Sequence, residues 1–137
     1  MKRLAVLALV VASIGIASAE AIPYKTVADT LAALKARDGI GAIVTESEGW
    51  VIVNEPAAAA QWSFTPAGHA AHPAVVRRII RRPADGSPTV ETESLCEAGA
   101  QACDALKREF EAMNDRITQS IKARGRSGSS GSTPPAR

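Results

Sequence analysis

The stretch QWSFTPAGHAAHPAVV, from Gln61 to Val76, decides how the middle of the chain folds, and it contains both histidines of the sequence. Its first part, Trp62 to Thr65, alternates large apolar with small polar residues, which is the two-residue period of a half-buried strand. The residues from Pro66 to Pro73 include a glycine and have proline at each end, so they predict a loop. The stretch therefore predicts a strand, a stiffened loop and the start of a second strand.

The segment that follows, VVRRIIRR from Val75 to Arg82, fits either a helix or a strand, because its apolar pairs recur every four residues. Its apolar residues are all β-branched, the run is short, and the turn-forming residues 83–87 lead into the strand-like segment Thr89 to Glu93. We therefore predict a β-hairpin. Alternate side chains of a strand point to opposite faces, which would divide the four arginines of this segment between the two sides of the sheet.

Two further segments rich in β-branched and aromatic residues lie upstream, Ile40 to Thr45 and Trp50 to Val53. They flank the turn-forming residues Glu46 to Gly49, and the glycine can adopt the positive φ that a tight turn needs, so we predict another β-hairpin. The segment Pro56 to Ala60 begins with proline and continues with four alanines. It predicts one or two turns of helix before the next strand.

Two longer helices are predicted near the ends of the chain. Thr26 and Asp29 resemble a capping box with the shorter acid in place of glutamate, and apolar residues recur at helical spacing from Val27 to Asp38, before Gly39 supplies a stop. The apolar residues of the second helix step by three or four positions: Cys103, Leu106, Phe110, Met113, Ile117 and Ile121. This stripe suits packing on a sheet. A coiled-coil seam between two chains is the competing interpretation, but the run is shorter than the roughly three heptads that a seam needs.

The order helix, hairpin, strand, hairpin, helix predicts an α+β fold. We expect a small antiparallel sheet of about five strands, with the N-terminal helix and the long C-terminal helix packed on one face. The predicted domain covers residues 20–122. Residues 123–137 are rich in glycine, serine and proline and contain no acid, so they predict a disordered tail.

Residues 1–19 have the three parts of a secretory signal peptide. Lys2 and Arg3 form a short basic region, the residues from Leu4 to Ile16 are uncharged and apolar, and Ala17 to Ala19 is a small-residue cleavage site. The apolar run is shorter than the ~20 residues of a membrane-spanning helix, which disfavours a transmembrane anchor. We therefore expect cleavage after Ala19 and a soluble product outside the cytoplasm.

The charge balance gives no case for a nucleic-acid partner. The whole sequence has a net charge of +2, but without the signal peptide it carries 14 basic and 14 acidic residues. The predicted domain alone is mildly acidic. Nucleic-acid binding needs a basic surface, so we expect none.

The two cysteines, Cys96 and Cys103, predict one structural disulfide, because an exported chain enters an oxidising compartment. If both lay in one helix, their Cα atoms would be about 10.5 Å apart, beyond the ~7 Å that a disulfide spans. A break near Gly99 is therefore required, and the bond would fasten the end of a strand to the first turn of the second helix. A redox pair is the alternative, although the spacing is not CxxC and no adjacent base is evident.

Three groups of residues are candidates for binding. His69 and His72 could offer two imidazoles to a metal ion, but no third ligand is evident, and local hydrogen bonding is the competing interpretation. Arg77 and Arg78 could bind an anionic partner, or such arginines could pair with glutamates on the neighbouring strand. Trp62 is expected mainly in the core and would mark a binding surface if it lay beside the histidines. No catalytic set, metal site or cofactor motif is predicted.

The segment WSFTPAGHAAHPAVV, the cysteine pair in CEAGAQAC and a helix containing Leu106 and Phe110 resemble those of small exported proteobacterial proteins of unknown function. The resemblance covers most of residues 25–120. It implies a periplasmic location, and it implies no activity, cofactor or catalytic residue for this chain.

From these residues we expect a non-enzymatic periplasmic accessory or binding protein, which presents the histidine loop and an exposed sheet face to an envelope protein or peptide. The chain is small and without evident catalytic groups, and it places rare residues together in one loop. The alternative is a small metal-binding protein or metal-dependent enzyme that uses His69 and His72. A structural envelope component is a third interpretation.

Overall fold

The computed structural model describes residues 20–84 and 86–128. Its elements are helix α1 (Val27–Lys35), strands β1 (Ile43–Thr45), β2 (Val51–Glu55), β3 (Ala60–Phe64), β4 (Ala74–Arg81) and β5 (Thr89–Cys96), and helix α2 (Ala100–Gly128). One turn of 3₁₀ helix, Pro56–Ala58, joins β2 to β3. The predicted α+β class is confirmed. The predicted signal peptide, residues 1–19, and residues 129–137 of the predicted tail lie outside the described residues.

The five strands form one antiparallel sheet in the order of the chain, β1-β2-β3-β4-β5. Each strand therefore pairs with its neighbours in the sequence. The pairs β1–β2 and β4–β5 are the two predicted hairpins, and the structure adds the pairings of β3 with β2 and with β4. Gly49, with a φ of 83°, lies in the turn between β1 and β2. Val53 lies opposite Trp62, and Ser63 lies opposite Val76. These pairs determine which side chains share a face of the sheet.

The two helices cover opposite faces of the sheet, which differs from the prediction that both pack on one face. On one side, Leu34 of α1 packs with Trp62 and Val75. On the other side, Leu106 of α2 packs with Val76. Successive residues of β4 point to opposite sides, and because both Val75 and Val76 are apolar, both sides need a cover. The molecule is therefore built of three layers: helix, sheet and helix.

Helix α1 begins where the sequence predicts. The hydroxyl of Thr26 accepts a hydrogen bond from the backbone N–H of Asp29 at 3.0 Å. A second cap comes from far along the chain, since the carboxylate of Glu97 accepts from the N–H of Val27 at 2.9 Å. The helix ends at Lys35, about one turn earlier than predicted.

Helix α2 is fastened to the sheet at its start. A disulfide joins Cys96, the last residue of β5, to Cys103, with the Cα atoms 5.9 Å apart, so the predicted link from strand to helix is confirmed. The helix continues to Gly128, and residues 123–128, which the composition assigns to the tail, are helical. In a long helix each further residue adds a hydrogen bond without a new nucleation step, which offsets a weak local propensity.

No helix among the described residues has both the length and the apolar character of a membrane span. Helix α2 has 29 residues, but charged side chains such as Lys107 and Glu111 alternate with its apolar stripe. Helix α2 is thus amphipathic, and its buried residues Leu106 and Phe110 face the sheet.

Candidate functional site

Helix α2 covers only part of its face of the sheet. Among the strands it lies closest to β5, at one edge, and it leaves the same face of β1 and β2 partly open. Val44 of β1 and Ile52 of β2 lie opposite each other on this face, and Val44 is 48% exposed. A groove therefore runs along α2, between the helix and the open strands.

The groove contains two cavities. The first, which we call the Trp50 cavity, has a volume of about 310 Å³, and its apolar wall and floor include Trp50, Ile52, Phe110 and Met113. The second, which we call the Ile80 cavity, has a volume of about 480 Å³ and is lined by Ile80, Val90, Ile117 and Asn54 among others. Gln61 and Arg78 line both cavities, so the two are neighbours along one groove.

Three side chains reach across the groove from the sheet to α2, and we call them the Arg78 bridge. The guanidinium of Arg78 donates to the amide oxygen of Gln61 and, at 3.0 Å, to the thioether sulfur of Met113. It also lies 5.3 Å from the ring centroid of Phe110, within the range of a cation–π contact. Because Gln61 belongs to β3, Arg78 to β4 and Met113 to α2, the bridge separates the Trp50 cavity from the Ile80 cavity.

The charge of Arg78 has no carboxylate beside it in the described part of the chain. The ion pairs found there join Arg37 to Glu55 at 2.5 Å and Arg81 to Glu91 at 3.1 Å. Burial lowers the pKa of the Arg78 guanidinium from its ordinary value, but an arginine remains protonated at neutral pH. Both acceptors in the Arg78 bridge are neutral atoms. Arg78 therefore holds a half-buried positive charge that the fold does not compensate.

The sign of the charge changes along the groove. Glu46, Glu48 and Glu109 lie around the Trp50 cavity. The Ile80 cavity has Arg82 in addition to Arg78, and its described lining contains no acidic residue. Aromatic and aliphatic side chains lie between these charges, so the groove matches a ligand with an apolar body and at least one anionic group.

The predicted binding residues are divided between the two faces of the sheet. Trp62 is 2% exposed and lies on the α1 side, where its indole N–H donates to the carboxylate of Glu55 at 3.0 Å. The guanidinium of Arg77 lies 5.2 Å from the centroid of the Trp62 ring and donates to the backbone carbonyl of Glu20. Arg78 lies on the α2 side, so the predicted division of the arginines by strand alternation is confirmed.

The two histidines lie in the loop between β3 and β4, and each makes a local hydrogen bond. Nδ1 of His69 accepts from the N–H of Ala71 at 3.1 Å, so in the neutral ring the proton lies on Nε2. Nδ1 of His72 lies 3.0 Å from the carbonyl oxygen of Thr65, and since a carbonyl only accepts, this nitrogen carries the proton. The ring of His69 also meets the ring of Trp50 edge-on, 5.2 Å between centroids. His69 therefore supports the Trp50 end of the groove, whereas His72 is exposed.

The surroundings of the histidines give no support to a metal centre. No three His, Cys, Asp or Glu side chains in the described residues are grouped so that they could hold a metal ion. Both cysteines belong to the disulfide, so neither offers a thiolate. Because Nδ1 of each histidine is engaged in the loop, the remaining imidazole lone pair is on Nε2 of His72.

The groove also contains residues that the sequence alone does not single out. Trp50 packs against the core on the α2 side and also forms part of the wall of a cavity. Gln61 and Ser63 are polar residues two positions apart in β3, and this spacing indicates that they share a face. The register of the sheet determines which residues lie beside Gln61 and Ser63, and this register places Gln61 opposite Arg78.

The groove along α2 is thus the candidate site, because it brings together open volume, apolar walls and an uncompensated cation. These features supply the means for noncovalent binding. Comparisons of this chain with protein-family models, with curated proteins and with solved structures found no match.

Proposed function

We propose that the protein is a non-enzymatic peptide-binding module of the bacterial periplasm, and that the groove along α2 is its binding surface. The observation that carries the proposal is the half-buried guanidinium of Arg78, which has no carboxylate beside it among the described residues. A charge that is partly removed from water and not paired has a free-energy cost, and an anionic group on a ligand offsets that cost.

The dimensions and the lining of the groove favour a peptide as the ligand. Its two cavities, of about 310 and 480 Å³, lie in the usual size range of ligand sites, about 300 to 1,000 Å³. Trp50, Phe110 and Met113 offer apolar surface for side chains.

The periplasmic location belongs to the same proposal. It is supported by the signal-peptide pattern of residues 1–19 and by the disulfide between Cys96 and Cys103, a bond that persists in oxidising compartments. In this location a peptide partner would come from the cell envelope.

Amide NMR provides the test, because the two tryptophans report on opposite faces of the sheet. Trp50 lines the groove, whereas the indole N–H of Trp62 is bonded to Glu55 on the α1 side. We expect a pool of apolar tetrapeptides, added to the chain from Glu20 onward with its disulfide intact, to shift the Trp50 indole signal in a saturable way and to leave the Trp62 signal in place. If no groove signal moves at millimolar peptide, the proposed function is wrong.

Two matched variants connect the response to the charge in the groove. In Arg78→Met an unbranched apolar side chain replaces the stem of the arginine and the charged guanidinium is lost, so we expect the peptides to bind much more weakly. In Arg81→Met the same change is made on the same strand, at an exposed position on the other face. This control should bind the pool as the wild type does. Equal weakening in both variants would contradict the assignment of the groove.

A further inference from the structure

The Arg78 bridge closes one end of the Trp50 cavity. Arg78 contacts both Gln61 and Met113 across the width of the groove, from the sheet to α2. A peptide that enters at the Trp50 end and follows the strands meets this bridge with its leading end. The Arg78 bridge therefore favours a peptide that ends at Arg78 over a peptide that continues through the groove.

The guanidinium in the bridge is suited to a carboxylate. An arginine has five N–H donors in a planar fork, and the two protein acceptors of Arg78 are an amide oxygen and a thioether sulfur. A carboxylate accepts two parallel hydrogen bonds from such a fork and supplies the missing negative charge. The free C-terminus of a peptide is a carboxylate, and in a peptide that ends at the Arg78 bridge this carboxylate would lie beside the guanidinium.

The opposite end of the Trp50 cavity determines the direction of the chain. Glu46 and Glu48, in the turn just before Trp50, line that end, and Glu109 lines the cavity one helical turn before Met113. Their like charges would repel a second carboxylate there. The groove therefore disfavours a peptide that points its C-terminus toward Trp50. It equally disfavours peptides with acidic side chains in the residues before the C-terminus.

We infer that the Trp50 cavity binds the last residues of an apolar peptide, with the free C-terminal carboxylate on Arg78 and the chain running toward Trp50. This inference rests on the proposed function, which requires only that some peptide occupies the groove. Asn54, Gln61 and Arg78 lie level with one another across the sheet, and Trp50 lies four positions before Asn54. At ~3.3 Å per residue this distance is about 13 Å, which corresponds to three or four residues of the ligand.

The test compares two forms of one probe, an apolar tetrapeptide of alanine and valine with either a free or an amidated C-terminus. Binding to the wild-type protein is followed by the Trp50 indole signal and by calorimetry. We expect amidation to weaken binding by at least about tenfold, the loss of a charge-assisted hydrogen bond. In Arg78→Met the two forms should bind equally weakly, and in Arg81→Met the difference should be the same as in the wild type.

The possible results distinguish a failure of the carboxylate assignment from a failure of peptide binding itself. If both forms shift the Trp50 signal with equal affinity, the carboxylate assignment is overturned while peptide binding stands. If neither form shifts the Trp50 signal and the tetrapeptide pool also fails to shift it, the proposed function itself is wrong.

A probe with an amidated C-terminus and one internal aspartate distinguishes the source of the carboxylate. Tighter binding of this probe than of the free-carboxylate form would overturn the inference. Because these comparisons use the wild-type protein, they do not depend on whether the Arg78 variant folds.

Discussion

At the scale of single residues, neighbours in β4 meet different surroundings because the strand alternates. Arg77 and Arg78 each place a guanidinium over an aromatic ring, 5.2 Å from Trp62 and 5.3 Å from Phe110 respectively. The ring under Arg77 belongs to the core beneath α1, whereas the ring under Arg78 borders the groove along α2. Arg77 donates to the backbone carbonyl of Glu20, whereas Arg78 donates to two neutral side chains at the groove.

Glu97 is a single residue whose removal should weaken the whole fold. Its carboxylate accepts from the first N–H of α1 at 2.9 Å, where the helix dipole also favours a negative charge. We expect Glu97→Ala to lower the free energy of unfolding by about 1 kcal/mol. Urea denaturation measures the loss. Glu93→Ala, which removes a carboxylate from the neighbouring strand without uncapping α1, serves as the control, and an equal loss there would contradict the capping role.

At the scale of elements, the sequence predicts the strands and turns better than the positions of the helices. The strands are bounded by turn residues such as those from Glu46 to Gly49, and these local signals are strong. The face that each helix covers depends on β4, where Val75 and Val76 are both apolar and so indicate no preferred side. Helix α2 extends beyond the predicted start of the tail, because composition favours disorder in residues 123–128 while helix propagation favours order.

The candidate site, like the helices, can be predicted from the sequence only where it depends on local signals. The alternation of β4 predicts that Arg77 and Arg78 separate, since this needs only the period of a strand. The Arg78 bridge cannot be predicted in this way, because Gln61 and Met113 reach it through the register of β3 and the placement of α2. The register between distant segments is set only when the sheet assembles, so no local sequence pattern predicts it.

The disulfide should contribute to stability mainly by closing a short loop. The bond joins residues seven positions apart, for which the chain-entropy model gives about 2 to 3 kcal/mol. We expect the variant with both Cys96→Ala and Cys103→Ala to lose this amount in urea denaturation. Hydrogen exchange should also show faster opening of the first turn of α2. The wild type under reducing conditions should behave as the double variant does, and an unchanged stability in both would contradict this role.

The last turns of α2 offer a way to strengthen the helix without touching the core. Gly125 lies inside the helix, and a Cβ there would meet nothing within 4 Å. Glycine in a helix costs about 0.5 to 1 kcal/mol relative to alanine, so Gly125→Ala should slow hydrogen exchange in the last turns and raise helix content. Because this end can fray alone, the global unfolding energy should change less. Gly99→Ala, before the helix begins, is the control and should leave the exchange of these turns unchanged.

At the scale of the whole molecule, the sheet divides the interior into two separate cores. Val75 is fully buried with Trp62 and Leu34, and Val76 is buried with Leu106 and Ala74. We expect Val75→Ala and Val76→Ala each to cost about 2 kcal/mol, from lost apolar burial and the cavity left behind.

The double variant tests whether the two cores are independent. Because the two side chains lie on opposite sides of the sheet, the costs should add within about 0.5 kcal/mol. Thermal and urea denaturation of the two single variants and the double variant give the comparison. A coupling larger than this would mean that the cores communicate through the strand, and the Val75→Ala variant should then also change peptide binding in the groove.

The hydrogen bond between Val27 and Glu97 spans 70 residues of the chain, so its two partners are made at different times during synthesis. A chain made from its N-terminus delivers α1 early, but the strand residues that α1 covers and the carboxylate that caps it come later. At ~5–20 residues per second, the delay before Glu97 is made is on the order of 4 to 14 s. During this interval the apolar side of α1 gains its strand partners one after another, first Val53, then Trp62 and then Val75. The N-terminal helix is therefore fully covered and capped only late in synthesis, after β4 and Glu97 have been added.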